Sequence, residues 1–174
     1  DLSPLAGLTR LEYIDCSDTQ VSDLSPLAGL INLKYLDCSM AQVSDLSPLA
    51  GLANLQDFRC THSQVFDLWP LAQLANLQYL ACDDTQVSDL SPLSELNHLR
   101  EIHASRTQVY DLLPLRDKIN FGLEVRYNDL IGHGIHLKDC PLTSPPIAIA
   151  QQGNAAILRW FAENRRVGTQ KVNE

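Results

Sequence analysis

A five-residue motif returns every 22 residues along this 174-residue chain. The motif reads Asp-Leu-x-Pro-Leu, usually with Ser as its third residue, and its copies begin at Asp1, Asp23, Asp45, Asp67, Asp89 and Asp111. A fixed period of this length is typical of proteins that stack one small unit, because a single unit cannot bury its apolar residues alone. The sequence therefore predicts an elongated array of repeats.

The second repeat contains the pattern Leu-x-x-Leu-x-Cys-x-x-small-Gln-Val from 33 to 43, and the other repeats follow it with substitutions at single positions. Leu36 and Cys38 lie two residues apart and share one face of a strand, while Tyr35 and Asp37 share the other. The strand must be short, because the next motif follows within a few residues. The pattern thus predicts one short strand per repeat, with an apolar inner face and a polar outer face.

The Asp-Leu-Ser-Pro-Leu motif predicts a short helical turn after each strand. In the second repeat Ser25 is placed to act as the N-cap, Pro26 as the first helical residue and Gly29 as the residue that ends the helix. We expect a single turn, of the α or the tighter 3-10 type, on the convex side of the array.

The period and the pattern together are those of leucine-rich repeats. We therefore expect an α/β leucine-rich-repeat solenoid over residues 1–142, with about six to seven parallel strands on a concave face. Five strands are expected to begin at Leu11, Leu33, Leu55, Leu77 and Leu99. A sixth is expected at Leu123, Val125, Asn128 and Leu130, and a seventh at Ile135, Leu137, Cys140 and Leu142.

The chain after the repeats has the spacing of two short helices. Residues 147–152 form the first helical segment, which stops at Gly153. Residues 154–164 form the second, with Asn154 as its N-cap. The sequence predicts that residues 143–164 form a helical cap over the last repeat.

The same tail resembles the region before the GTPase domain of bacterial Roco proteins. The resemblance rests on Cys140-Pro141-Leu142, Pro145-Pro146 and Gln152-Gly153-Asn154-Ala155-Ala156-Ile157-Leu158-Arg159-Trp160-Phe161. In that family the repeats end in an Asn-Pro-Leu-like turn, and a Gln-Gly-x-x-Ala-Ile-Leu-x-x-Phe helix leads into the Roc GTPase domain. Cys140 departs from the Asn of the family.

The resemblance implies a regulatory arm beside a Roc GTPase domain and its dimerising COR domain. The parent protein would bind and hydrolyse GTP as a homodimer, and residues 165–174 would link the arm to the downstream domain. Trp160 and Phe161 then become candidates for docking on a neighbouring domain. No Gly-x-x-x-x-Gly-Lys-Ser/Thr motif occurs in this chain, so no GTPase residue of the family carries over to it.

The composition disfavours nucleic-acid and membrane partners. The formal net charge is −8, from 13 Lys and Arg against 21 Asp and Glu, whereas phosphate backbones require clustered cations. No run of 18 apolar residues is present, so the sequence predicts no membrane-spanning helix. The expected partner is therefore a protein.

A column of cysteines is the most unusual feature of the repeats. Cys16, Cys38, Cys60 and Cys82 recur every 22 residues. Leucine-rich repeats of other proteins usually have Leu at this position. Stacked thiols could serve metal or redox chemistry, but an inward-facing thiol packs as a small apolar side chain. We interpret the column as part of the core, and free thiols in this number favour a reducing cytoplasm.

His133, His136 and Cys140 have a loosely metal-like spacing. The repeat register places His136 outward and Cys140 inward, so their side chains are expected to diverge. Neither Gly-x-Ser-x-Gly nor His-Glu-x-x-His occurs in the chain. The sequence predicts no metal, no cofactor and no enzymatic activity for this chain.

The concave face supplies the candidate protein-binding residues. One column contains Tyr13, Tyr35, Asp57, Tyr79 and Glu101, and the next contains Asp15, Asp37, Arg59, Ala81 and His103. Tyrosine is favoured at interfaces because it combines a large apolar area with one polar tip. An ordinary solvated sheet face would have a similar composition, so both interpretations stay open.

These features favour a non-catalytic protein-interaction module, with a Roco-type regulatory arm as the leading hypothesis. Its partners would be its own Roc and COR domains, another protein, or both. The alternative is a free-standing interaction protein, such as an internalin-like adhesin or effector. That alternative requires secretion, and the cysteine-rich core and the Roco-like tail count against it.

Overall fold

The computed structural model of the chain describes residues 1–127 and 132–164. Its strands are β1 (Tyr13–Asp15), β2 (Tyr35–Asp37), β3 (Asp57–Arg59), β4 (Tyr79–Ala81), β5 (Glu101–His103), β6 (Val125–Arg126) and β7 (Gly134–His136). Its α-helices are α1 (Arg116–Asn120), α2 (Ile147–Ala150) and α3 (Asn154–Asn164). Its 3-10 helices are Ser3–Leu5, Ser25–Leu27, Ser47–Leu49, Trp69–Leu71, Ser91–Leu93 and Leu113–Leu115. Across both described stretches, no helix is long and apolar enough to cross a bilayer.

The strands form one parallel sheet whose register repeats the 22-residue period. Tyr13 pairs with Tyr35, and Ile14 pairs with Leu36. Because side chains alternate along a strand, the central residue of every strand points to the same side of the sheet. The central residues of the first five strands, all buried, are Ile14, Leu36, Phe58, Leu80 and Ile102. The predicted α/β solenoid with parallel strands is thereby confirmed.

The core lies between the sheet and the 3-10 helices and consists of stacked leucine columns. The column from the 3-10 helices is fully buried at Leu27, Leu49, Leu71, Leu93 and Leu115. Burial of one such side chain stabilises the fold by roughly 2 kcal/mol. Each repeat contributes to a core shared with its neighbours, which explains why the array and not the single repeat is the folding unit.

Aspartate, rather than serine, caps the 3-10 helices. In the helix Ser25–Leu27, the Ser25 N–H donates a hydrogen bond to Asp23 Oδ1 at 2.8 Å. The N-cap position is held by Leu24, whose buried apolar side chain makes no capping hydrogen bond. The expectation that Ser25 is the N-cap is therefore wrong, because the carboxylate two residues earlier already satisfies the amide. The helix also ends two residues before the glycine predicted to end it.

The third residue after each of the first five strands has a left-handed backbone conformation. These residues are Asp18, Met40, His62, Asp84 and Arg106, with φ between 51° and 56°. The kink directs an amide towards the next repeat: the Met40 N–H donates to the Thr61 carbonyl at 2.8 Å. Aspartate tolerates this conformation, whereas for most L-residues it costs about 1–2 kcal/mol. At Met40 the hydrogen bond between repeats holds an unfavourable residue in place.

A hydroxyl group occupies the turn after four of the strands. It donates to the carbonyl three residues earlier, at 2.6–2.7 Å, in Thr19, Ser63, Thr85 and Thr107. Ala41 has no hydroxyl, and its N–H donates instead to the Cys38 carbonyl at 3.2 Å. In this repeat a backbone N–H thus satisfies the carbonyl that a side-chain hydroxyl satisfies in the other four.

The strand order differs from the chain order at the C-terminal end of the sheet. β7 pairs directly with β5, with Ile135 opposite Ile102, and β6 lies outside β7. Ile135 follows Ile102 by 33 residues, so this repeat is 11 residues longer than the period of 22. The expectation that the sixth strand stacks on the fifth is wrong, because the fully buried Ile135 continues the core column. Asn128 and Leu130 of the predicted sixth strand lie outside the described residues.

A glycine allows β6 and β7 to approach each other. Gly134 has φ +146°, and a Cβ at this position would lie 2.5 Å from the Glu124 carbonyl oxygen. The same oxygen accepts a hydrogen bond from the Ile135 N–H at 2.7 Å. The pairing of the inserted strand therefore depends on the missing side chain.

Helix α3 packs over the end of the repeat core. Its residues Ile157 and Phe161 are buried. The side chain of Asn154, the first residue of α3, accepts a hydrogen bond from the Val125 N–H at 2.9 Å and donates to the Leu123 carbonyl at 3.0 Å. One polar side chain thus joins α3 to the outermost strand. The predicted linker 165–174 lies outside the described residues.

Candidate functional site

The residues predicted for protein binding lie on the concave face, the side of the sheet opposite the leucine core. Strand alternation places them there as Tyr13, Asp15, Tyr35, Asp37, Asp57, Arg59, Tyr79, Glu101 and His103. Tyr13 and Asp15 are exposed, and the other seven are half-buried by their neighbours in adjacent strands. The face is therefore a packed layer of side chains rather than a set of independent groups.

Planar side chains stack on one another along this face. The Tyr13 and Tyr35 rings are parallel to within 5°, with centroids 4.2 Å apart. The Arg59 guanidinium lies 5.2 Å from the centroid of the Tyr35 ring and 4.8 Å from that of Tyr79. A guanidinium at these distances is attracted to the negative faces of both rings. Arg59 thus bridges two tyrosines that lie on strands too far apart to stack directly.

Arg59 is held in this position by its own strand. Its Nε and Nη2 donate to the two carboxylate oxygens of Asp57, each at 2.9 Å. This paired hydrogen bond raises the pKa of Arg59, and burial raises the pKa of Tyr35 and Tyr79. The phenols are therefore neutral and the guanidinium charged under all ordinary conditions.

The stack continues beyond Tyr79 onto the histidines of the last strands. The Tyr79 and His103 rings lie 5.3 Å apart at 37°, and His103 and His136 lie 4.2 Å apart at 13°. We name Tyr13, Tyr35, Arg59, Tyr79 and His103 the aromatic ladder. Each member contacts the next across neighbouring strands, so the ladder spans β1 to β5.

Glu101 connects the ladder to the inserted segment. Its Oε1 lies 2.7 Å from His103 Nε2, and its Oε2 lies 2.8 Å from His133 Nδ1. Burial raises the pKa of Glu101, but the hydrogen bonds from the two histidines outweigh it, and the net effect lowers that pKa. The carboxylate is thus ionised and shared by two imidazoles.

The other end of the concave face is acidic. Asp15 and Asp37 accept hydrogen bonds from the backbone N–H groups of Ser17 and Ser39, at 2.9 and 2.8 Å. Hydrogen bonds from Ser17 lower the pKa of Asp15. These carboxylates bear no ion pair among the described residues, so they present negative charge beside Tyr13.

The two aromatic residues predicted for interdomain docking have different environments. Phe161 is 3% exposed and packs in the core of the chain itself, so it offers no surface to a neighbour. Trp160 is half-buried and meets Phe161 edge to face, with centroids 5.6 Å apart. Of the predicted pair, Trp160 alone retains accessible surface for docking.

The cysteine column lies inside the core. Cys16, Cys38, Cys60, Cys82 and Cys140 are all buried and free. Burial raises the pKa of every one of these thiols, which removes the thiolate needed for metal or redox chemistry. The thiols therefore pack as small apolar groups.

His136 and Cys140 point into different environments, although His136 is not exposed. The Cys140 thiol donates to the Ala104 carbonyl at 3.0 Å, inside the core. His136 lies fully buried against His103 on the concave side of the sheet. Sequence reasoning missed this contact, and no local signal reveals it, because it depends on β7 lying beside β5.

Comparisons with known proteins match the repeats. The protein-family model described as "Leucine Rich repeats (2 copies)" matches residues 9–51. The solved structure of an internalin C2 from Listeria monocytogenes is 44% identical, with a TM-score of 0.65 over 66% of this chain. A second Listeria monocytogenes internalin is 31% identical, with a TM-score of 0.64 over 67% of this chain. A leucine-rich-repeat protein from Leptospira interrogans, at 19% identity and a TM-score of 0.63 over 79% of this chain, shares the fold.

The chain spans only part of each of these proteins. It covers 51% of the internalin C2 structure, 35% of the second internalin and 33% of the Leptospira protein. A comparison with curated proteins gave no match. The matched repeats, the parallel sheet and the 3-10 turns identify the chain as a leucine-rich-repeat domain.

Proposed function

We propose that this domain is a non-catalytic protein-recognition module and that the aromatic ladder is its binding surface. The observation that carries the proposal is the continuous series of ring and cation–π contacts from Tyr13 to His103 across five strands. Tyrosine and arginine are the residue types that contribute most binding energy in protein interfaces. Because neighbouring rings hold each side chain in place, little conformational entropy remains to be lost on binding.

The charges on the face specify the chemistry of the partner. Asp15 and Asp37 at one end present carboxylates that form no ion pair with any described residue, while Asp57 neutralises Arg59 in the centre. A suitable partner is an extended segment that lays apolar or planar groups on the rings and directs basic side chains to the acidic end. Complementary charge of this kind sets the orientation and speeds association.

The proposal is tested with a displayed peptide library selected on the wild-type domain. Selected peptides are then measured against Tyr35→Ala and Arg59→Ala variants, each expected to weaken binding at least tenfold because the ladder loses a central contact. Trp69→Ala is the matched control: Trp69 is a large aromatic residue, 60% exposed, in a 3-10 helix on the convex side. Equal losses in all three variants, or no loss in the ladder variants, would contradict the proposal.

For the setting of the module, we propose first a regulatory arm of a Roco-type GTPase in the cytoplasm. The support is the tail sequence Gln152 to Phe161, and Trp160 would dock on the adjacent domain. The division into repeats (1–142), cap (143–164) and linker (165–174) belongs to this proposal. Removal of residues 1–164 from the parent protein should change its GTP hydrolysis or its dimerisation, whereas identical rates and assembly would eliminate the regulatory role.

A free-standing internalin-like interaction protein is the second proposal. Its support is the identity of 44% and 31% to two internalins, over 66% and 67% of this chain. The two settings make opposite predictions for the parent coding sequence after Glu174. A Gly-x-x-x-x-Gly-Lys-Ser/Thr motif supports the GTPase arm, and a stop codon or a surface anchor supports the free-standing protein.

A further inference from the structure

We propose that Glu101, His103 and His136, with His133 at the entrance, form a binding site for a divalent transition-metal ion such as Zn²⁺. The site lies where β5 pairs with β7 on the concave face. It shares His103 with the aromatic ladder, but its test does not require a protein partner.

The backbone brings three of these side chains together. Glu101 and His103 share one face of β5, and His136 lies directly opposite His103 in β7. One ligand atom from each of the three lies within 4.8 Å of the others. Ligand atoms around a tetrahedral zinc ion with bonds of about 2.0–2.1 Å are roughly 3.4 Å apart, so side-chain rotation must bring these atoms closer to close the site.

His133 can supply the fourth ligand. Its Nδ1 lies 2.8 Å from Glu101 Oε2, and its side chain is 84% exposed. An exposed ring on the segment that enters β7 can turn towards an ion without disturbing the core. The set of three imidazoles and one carboxylate is a donor set that suits zinc, copper or nickel.

A hydrogen bond orients the His136 ring, and a nearby carboxylate faces the His103 ring. His136 Nε2 lies 2.8 Å from the Gly132 carbonyl oxygen. Because a carbonyl only accepts, Nε2 carries the proton of this hydrogen bond. His103 Nδ1 lies 4.0 Å from Asp83 Oδ2. Backbone carbonyls and carboxylates in these positions fix the tautomer of ligating histidines.

The proton balance at His103 follows from these contacts. In the absence of an ion, Nε2–H donates to Glu101. When an ion bonds to Nε2 of the neutral ring, the displaced proton moves through solvent to Nδ1, which faces Asp83, so no net proton is released. If the ring is doubly protonated at the start, Nδ1 keeps its proton and the Nε2 proton leaves to solvent. The Glu101 carboxylate oxygen that accepted the hydrogen bond from the imidazole then coordinates the ion.

The stacked rings impose one specific movement. His103 and His136 are nearly parallel, at 13° and 4.2 Å between centroids. A single ion bonded in the plane of each ring cannot coordinate both while they are stacked, so one ring must turn. His103, whose side chain is 20% exposed, is the ring with access to solvent. Binding should therefore break the contact between the two rings.

The experiment titrates the EDTA-treated full chain with ZnCl₂ and follows the histidine ring protons by NMR, with calorimetry for the affinity. Signals of His103, His133 and His136 should shift together at one equivalent, while those of His62 and His98 stay in place. His98 is a suitable internal reference because its Nδ1 bonds the Ala75 carbonyl, away from the concave face. Unchanged signals, or equal shifts in all five histidines, would overturn the proposal.

Substitutions test the ligands individually. His103→Ala and Glu101→Gln should weaken zinc binding at least tenfold, whereas His98→Ala should bind as the wild type does. Asp83→Asn should weaken binding about tenfold, as loss of an orienting partner does in other metal sites. Wild-type affinity in His103→Ala, or a thiolate charge-transfer band with Co²⁺ in place of Zn²⁺, would show that the ion binds elsewhere.

Discussion

Replacement of Thr85 by valine tests the energy of the hydroxyl column. The Thr85 hydroxyl is buried and donates to the Cys82 carbonyl at 2.6 Å. Valine keeps the shape of the side chain but leaves that carbonyl without its donor. An unsatisfied buried acceptor costs about 1–3 kcal/mol. The backbone adjustment observed at Ala41, with an N–H···O distance of 3.2 Å, offers partial repair. The expected loss of unfolding free energy is therefore about 1.5–2 kcal/mol.

The assay is equilibrium urea unfolding at pH 7, followed by circular dichroism. At a slope of about 2 kcal/mol per molar, the midpoint of Thr85→Val should fall by roughly 0.75–1 M. Thr19→Val is the matched control, because Thr19 makes the same 2.6 Å hydrogen bond but is exposed. Water can replace that donor, so its loss should stay below about 0.5 kcal/mol.

The reverse substitution completes the test. Ala41→Ser restores a hydroxyl to the one of these repeats that lacks it and should stabilise the chain by about 0.5–1 kcal/mol. Equal effects of Thr85→Val and Thr19→Val, or a Thr85→Val loss below about 0.5 kcal/mol, would refute the reasoning that the buried carbonyl requires this donor.

Four further measurements probe other features. Met40→Asn should raise stability in urea by about 0.5–1 kcal/mol, because Asn tolerates the left-handed conformation that Met40 adopts. Gly134→Ala should cost about 2 kcal/mol or more and increase hydrogen exchange at the Ile135 amide, because the new Cβ would clash with the Glu124 carbonyl. Because the pKa of Glu101 is lowered in the folded state, its carboxylate stabilises the fold fully above the unfolded-state pKa of about 4.3, and this stabilisation is lost as the pH falls below that value. Glu101→Gln should therefore lose less stability than the wild type between about pH 5 and 3. Ellman's reagent should label none of the five buried cysteines in native buffer and all five in guanidinium.

The regular repeats were predictable because each slot recurs with an unchanged environment. The alternation of Tyr35, Leu36 and Asp37 places one side chain inside and two outside, whatever the neighbouring strand contains. The concave columns followed from that alternation alone. The stacking did not, since the position of Arg59 between two tyrosines depends on side-chain torsions and on its pairing with Asp57.

The C-terminal region was less predictable because the period is lost after Leu115. The spacing of Leu123 and Val125 fits the repeat slots, yet these residues belong to an insertion. Burial decides the outcome: Ile135 fits the shared core completely, and the chain returns to the array only there. Spacing records which residues are apolar, but it does not record which of two candidate strands packs better on β5.

The buried thiols also change one argument about the cellular setting. From the sequence, the number of free cysteines counts against a secreted protein. In the structure all five are buried with a raised pKa, so they are protected from oxidation in the folded state. The cysteine column therefore does not distinguish a cytoplasmic arm from a secreted protein.

The inserted strand has a consequence for self-association. An open parallel sheet invites further strands to add at its edge, which is how repeat proteins form fibres or exchange segments. Here the outermost strand, β6, has only two residues, and the Val125 N–H is already bonded to the Asn154 side chain. An incoming strand would find a template too short to fix its register and a donor already engaged. β6 therefore offers an incoming strand little to pair with at this edge of the sheet.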